Sequence, residues 1–235
     1  MSARRSSIGI IATAALLGAC GGDDASGFAD QPAADIVAAA EADMRAVTSL
    51  RMTGDLVVDG EDLAIDLALD TEGDCQGTLT QGGATAEISS VGGTSYLRPD
   101  AAFWETFAGE GASAIVELVG DRWVVVPGDD GDFSEFCDLD QLLEEIGSDD
   151  DAEEEPVVEG TEDVDGQEAV RISSTTDEGD PVTAWVATSE PHVILRIEVT
   201  EGDEPGTITF SEFDEELEIE APPEDEVVDL AELGG

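Results

Sequence analysis

Leu56-Val57-Val58-Asp59-Gly60-Glu61-Asp62-Leu63-Ala64-Ile65-Asp66-Leu67-Ala68-Leu69 is the stretch whose reading decides the fold. Leu56 and Val58, then Leu63, Ile65, Leu67 and Leu69, alternate with polar or small residues, and Asp59-Gly60 between them is a hairpin signal. A period of two gives each strand one apolar and one polar face, the pattern of an antiparallel pair laid on a core. The same rhythm continues outward. Short strands are expected at 77–81, 84–89 and 94–98, with turns at Gly82-Gly83 and Gly92-Gly93. They resume at Val170 and Ile172, then at 182–186, 193–199, 206–210 and 217–219, until Pro222-Pro223 stops the sheet. Residues 223–235 read as an acidic tail in which 225–232 form a short helix or fray.

On the N-terminal side, Ile36, Ala40, Met44, Val47 and Leu50 recur at three and four, which predicts an amphipathic helix over about 34–49. Between the two groups of strands the pattern breaks. Helical stretches are expected at 102–107, 112–119 and 139–146, with 122–126 extended between the second and third. A run of strands without a crossover helix after each one argues against a doubly wound parallel sheet. The expected class is α+β, a strongly curved antiparallel sheet, or half-open β-barrel, with helices packed on its concave face. Residues 149–168 hold eleven acids in twenty positions, so about 148–160 reads as an acidic loop.

The chain opens differently. Arg4 and Arg5 precede an apolar run from Ile8 to Ala19, and Leu17-Gly18-Ala19-Cys20 closes it. A basic start, a short apolar run and small residues make residues 1–19 an export signal. The run's twelve residues are too few for a bilayer core that needs about 20. The order Leu-Gly-Ala-Cys resembles a bacterial lipobox, which implies that Cys20 is lipidated, with acyl chains such as palmitate, and becomes the first residue of the mature chain. An ordinary secretory signal beside a chance cysteine is the alternative. Residues 20–33 then read as a flexible tether, and 34–222 as one domain.

Charge excludes several functions. There is no lysine, and beyond the signal only Arg45, Arg51, Arg98, Arg122, Arg171 and Arg196 stand against 58 acidic residues. Nucleic-acid binding by phosphate neutralisation needs clustered basic groups, so it is excluded, as is electrostatic attachment to an anionic membrane. Attachment would have to come through the lipid. The acidity suits a halophilic surface, whose repulsion is screened over about 3 Å in molar salt; a surface for a polycation or calcium is the other reading.

Cys20, Cys75 and Cys137 are an odd number of cysteines for an exported chain. With Cys20 lipidated, Cys75 and Cys137 are left as a disulfide pair, two free buried thiols and a metal site being the alternatives.

Several phrases carry a family resemblance: Val91-Gly92-Gly93 before Tyr96-Leu97, Gly120-Asp121-Arg122-Trp123, Val164-Asp165-Gly166 before Ala169-Val170, Ala184-Trp185-Val186, and Thr209-Phe210-Ser211-Glu212-Phe213-Asp214. With the order of elements, they resemble actinobacterial lipoproteins of the LppX/LprG type in the LolA-like superfamily, over about 34–222. The resemblance implies a half-open barrel whose concave side, lidded by helices, is an apolar cavity for acyl chains, in a protein that binds or ferries lipids across the envelope. The lack of lysine and the acidic stretch near 149–155 depart from that pattern and put a phosphorylated head group in doubt.

Phe103, Trp104, Phe107, Ile115, Leu118, Val119 and Trp123 are the candidate cavity lining, with the filling of an ordinary core as their other reading. No catalytic constellation is present in the sequence: the single histidine, His192, follows Glu190-Pro191, and no nucleophile motif accompanies it. Asp129, Asp130 and Asp132 lack the spacing of a calcium loop, and no metal or cofactor is expected. The expectation is a monomeric, non-enzymatic lipoprotein of the cell membrane's extracytoplasmic face, with an acyl lipid or lipidated ligand as partner. An interaction or sensory module of the same fold with a filled core is the alternative. Cys20→Ala is expected to move the protein from the membrane fraction to the soluble one, and retention on membranes would remove the lipobox reading.

Overall fold

The computed structural model describes residues 25–58, 60–126, 137–146, 155–176 and 179–229. The signal and Cys20 lie outside them. The hairpin at the centre forms as expected: β1 (Ser49–Val58) and β2 (Glu61–Asp70) pair antiparallel from Ser49↔Asp70 to Val58↔Glu61. The meander continues through β3 (Cys75–Gln81), β4 (Ala84–Val91) and β5 (Thr94–Pro99). After α3 (Ala101–Ala108), a 3-10 turn at Gly109–Gly111 and α4 (Ala112–Val119), β6 (Trp123–Val126) returns beside β5.

The second half adds β7 (Val157–Val164), β8 (Gln167–Thr175), β9 (Pro181–Ala187), β10 (Ile194–Val199) and β11 (Gly206–Ser211), the last pairing with β1. With β12 (Val227–Val228) they make one 12-stranded sheet in the order β12-β6-β5-β4-β3-β2-β1-β11-β10-β9-β8-β7. Every pairing is antiparallel except β12 on β6. β7 and β12 do not meet in that order, so the sheet stays open: the expected α+β architecture of a half-open barrel.

Two ends of this sheet matter below. At the proximal end β1 starts, β3 starts at Cys75, and β9 and β10 meet between Ala187 and Ile194. At the distal end lie Val58, Gln81, Val199 and Gly206. Proximally the inner face is fully covered. Ile36, Ala40 and Met44 of α2 (Ala33–Met44) are buried with Leu50, Leu67, Leu69 and Phe210, and Leu139 and Leu143 of α5 (Leu139–Ile146) join the same cluster. Each such aliphatic side chain contributes about 1.5–3 kcal/mol by leaving water. A disulfide joins Cys75 to Cys137, both buried, and so ties β3 to the start of α5.

Four expectations are corrected. The helix over 34–49 ends at Met44: Val47 and Leu50 leave its apolar stripe, because Ser49-Leu50 begins β1 and Leu50 pairs with Leu69. The tether of residues 20–33 is ordered from Ala25, where α1 (Ala25–Ala29) buries Phe28 against the His192 ring. The acidic loop near 148–160 gives way to β7 at Val157. An Asp165-Gly166 turn with positive φ at both residues closes the β7–β8 hairpin, and the acids of β7 point to solvent. At the C-terminus, 217–219 forms no ladder, and Glu224–Glu226 is a 3-10 turn rather than the start of a helix. Val227-Val228 then pairs with the open edge of β6, where β-branched residues fit a ladder better than a helix. The described part of the domain therefore runs beyond 34–222 at both ends.

The cross-link closes a separation of 62 residues. In the chain-entropy account such a loop contributes about 4 kcal/mol. Cys75→Ser with Cys137→Ser is expected to lower the melting temperature by roughly 8–16 °C, read by thermal denaturation against the oxidised protein.

Candidate functional site

The alternation that builds the sheet also sorts its chemistry. On β2, Leu63, Ile65, Leu67 and Leu69 face the helices while Asp62, Asp66 and Asp70 take the other face, a consequence of the two-residue pleat. Toward the distal end the inner face stays apolar but is only partly covered. Leu56, Leu63, Leu79, Ile208, Ile197 and Val158 are partly buried, packed against the edge of the core. The register sets them side by side: Leu56 opposes Leu63, Ile65 opposes Leu79, Gly54 opposes Ile208, Ile208 opposes Ile197, and Ile172 opposes Val158. They form a continuous apolar band across the sheet, flanked at the β4–β5 side by Phe103.

Glycine makes close approach possible at two points of the sheet, Gly77 opposite the buried Leu67 and Gly206 opposite Leu56 at the distal end. A Cβ on Gly77 would lie 1.9 Å from the Asp66 carbonyl oxygen, and one on Gly206 would lie 2.5 Å from Leu56 Cδ2. No side chain fits at either position without a shift of backbone or neighbour.

The predicted lining residues do not act as one set. Asp100 caps α3 by accepting from the Phe103 N–H at 2.7 Å, and Phe103 reaches the inner cluster. Trp104 stands edge-on to it at 6.1 Å, with its Nε1 buried and unpartnered among the described residues. The Phe107 side chain lies outside the described ones. On α4, Val119 is buried, Ile115 is half-buried and Leu118 is 47% exposed. Trp123 turns to the opposite face of the sheet, beneath the Arg98 guanidinium at 4.7 Å. The signal for the band was the alternation itself: Leu63, Leu79, Ile197 and Ile208 read as strand residues, and only their partial exposure marks them as more.

That opposite, outer face is ionic. Arg51 donates to Asp66 at 2.9 Å and lies 3.9 Å from Glu212; the hydrogen bond to Asp66 and then its charge hold the guanidinium's pKa above the ordinary value. Arg98 pairs with Glu87, and Arg171 lies 3.6 Å from Glu159 and 3.7 Å from Glu162. Arg196 lies over the Trp185 ring at 5.5 Å, and the Trp185 Nε1–H donates to Glu162. A groove of about 440 Å³ opens on this face under residues 212–219, lined by Arg51, Asp66, Glu87, Trp123 and four glutamates of that segment. Its acidic lining makes it a poor place for an acyl chain.

His192 is held by structure. Its backbone N–H donates to Asp43 at 2.6 Å, its Nδ1 meets the Ala187 carbonyl oxygen at 3.0 Å, and its ring stacks on Phe28 with centroids 3.6 Å apart. Among the described residues no helix is long and apolar enough to cross a membrane.

Among solved structures, the chain is similar to LprF from Mycobacterium bovis, at a TM-score of 0.59 and 16% identity over 82% of this chain and 99% of that one. It is similar also to the Mycobacterium tuberculosis lipoprotein LppX, at a TM-score of 0.53 and 16% identity over 80% of this chain and 99% of the other. The chain has the LppX-type fold. No family profile matches it, and no curated protein does. The resemblance read from the turn phrases therefore holds for the fold.

In this LppX-type sheet, the covered and uncovered parts of the inner face should respond differently to truncation. Leu67→Ala, at a fully buried position, is expected to cost about 2–5 kcal/mol. Leu63→Ala, in the half-buried band, should cost about 1 kcal/mol because less apolar area returns to water. Denaturant titration of the two variants checks the contrast.

Proposed function

We propose that this protein is an exported lipoprotein, tied to the cell membrane through Cys20 on its extracytoplasmic face, that binds a lipid or other hydrophobic ligand on the distal inner face of its sheet. The observation that carries the reading is the apolar band from Leu79 to Val158. In a chain with 58 acidic residues, the carboxylates of the central strands stand on the outer face, and the band is neither charged nor fully covered. A half-covered apolar strip of this kind on a sheet face is suited to a hydrophobic ligand that would complete its cover.

The mechanism is passive. Acyl chains laid on Leu56, Leu63, Ile197 and Ile208 leave water at about 25 cal/mol per Å²; a ligand burying about 400 Å² would gain about 10 kcal/mol before the cost of its own ordering is subtracted. Phe103 borders the strip and would contact the chains. The LppX-type fold supports this reading, as do the lipobox-like Leu17-Gly18-Ala19-Cys20 and the absence of any unengaged histidine that a hydrolase would need. Carrier function in the envelope is the corresponding role. The protein is read as a binding protein, not an enzyme.

The test is native mass spectrometry, with lipid extraction, on the chain lacking residues 1–20 and purified from an envelope-producing host. Acyl lipid at about one per chain is expected. A mass without ligand that stays unchanged on incubation with envelope lipids would favour an interaction module with a filled core.

A further inference from the structure

The described N-terminus bears on how this carrier would sit on a membrane. Phe28 is 7% exposed and stacked flat on His192, with 2° between the ring planes. His192 is in turn fixed by Asp43 of α2 and by Ala187 at the end of β9. All of these are at the proximal end of the sheet. α1 is thus clasped there, and only the chain between Cys20 and Ala25 separates the lipidation site from it. Five residues reach at most about 18 Å. The ten residues of β1 span about 34 Å from the proximal to the distal end.

Charge disfavours lying on the ionic outer face but does not choose between the two ends. Without the signal, six arginines against 58 acidic residues leave a formal charge of −52, which an anionic leaflet repels. Lying on the outer face would bring its carboxylates to the surface, whereas standing on the proximal end keeps that face away from it. The distal rim carries Glu61, Asp62, Asp180, Glu201, Asp203 and Glu204 and the proximal turns carry Glu72, Asp74, Asp165 and Glu190, so the clasp and the short link, not charge, select the proximal end.

Resting on the lipid-binding and Cys20 readings above, we propose that the Phe28–His192 clasp stands the protein on its proximal end, so that the apolar band opens away from the leaflet that holds the anchor. Ligand then enters and leaves on the side facing the envelope space, not from the anchoring leaflet beneath. The short link and the clasp set this orientation together: a long tether would leave it free.

The experiment uses the full lipidated protein in vesicles containing anionic lipid, at low ionic strength. Ser189→Cys, in the proximal β9–β10 turn, and Glu201→Cys, in the distal β10–β11 turn, are both exposed positions. Each is labelled with a donor dye, while the native cysteine pair stays oxidised, and energy transfer to an acceptor lipid in the membrane is measured. Transfer from position 189 is expected to exceed that from position 201 roughly twofold or more, given about 30 Å between the two ends. Phe28→Ala should narrow the difference, and so should a Gly/Ser insertion of about fifteen residues between Asp24 and Ala25, which leaves the folded domain untouched. Equal transfer from the two sites, or stronger transfer from 201, would overturn the orientation. Failure of the protein to float with the vesicles would overturn the anchor and the orientation with it. Flotation and the expected transfer without any bound lipid by mass would leave the orientation standing and remove the carrier reading instead.

Discussion

The register of the central hairpin is the constraint on which the rest depends. Leu63, Ile65, Leu67 and Leu69 alternate with Ala64, Asp66, Ala68 and Asp70, so a slip of one residue against β1 would turn Asp66 and Asp70 into the core. A carboxylate buried there without a partner costs several kcal/mol or takes up a proton. β1, β4, β7, β8 and β10 also carry acids and with them the same penalty for misregister. The Asp165-Gly166 turn sets the same condition for β7 and β8 at the other edge.

The scarce cations are placed to serve that register. Arg51, Arg98, Arg171 and Arg196 all stand on the outer face, each set against a carboxylate or tryptophan on a neighbouring strand or in the segment that crosses the sheet. Their side chains are partly exposed, so each ion pair contributes about 0.2–1 kcal/mol to stability at most. Their larger effect is selective: cross-strand pairs of opposite charge form only in the native register, and like charges oppose one another in others. Residues 212–219 cross this same face before Val227-Val228 covers the edge of β6, which shields one of the two open edges from another chain.

The disulfide and the N-terminal clasp act on the inner side. Cys75–Cys137 holds α5 over the proximal sheet, and Phe28 with α2 fills the neighbouring space. Cover is thus concentrated at one end, and the apolar band at the other follows from that uneven distribution. Trp123 is an instance of the same sorting. One strand position decides that it joins Arg98 on the ionic face and not Phe103 on the apolar one.

The sequence by itself determined the sheet, its two-residue sorting of acids from aliphatics, and most strand limits, because alternation is a local property that survives without knowledge of partners. It also marked α2 and the aromatic middle segment. Tertiary structure alone decided which apolar residues remain uncovered: Leu67 and Leu63 have the same period and chemistry, and only the reach of α2 and α5 buries the first completely and the second in part. It likewise decided that Val47 leaves the helix, that β7 forms inside an acid-rich stretch, and that Val227-Val228 closes an edge. Each of these depends on a partner distant in the chain, and the energy of a ladder or of a buried contact is not written in the segment that receives it.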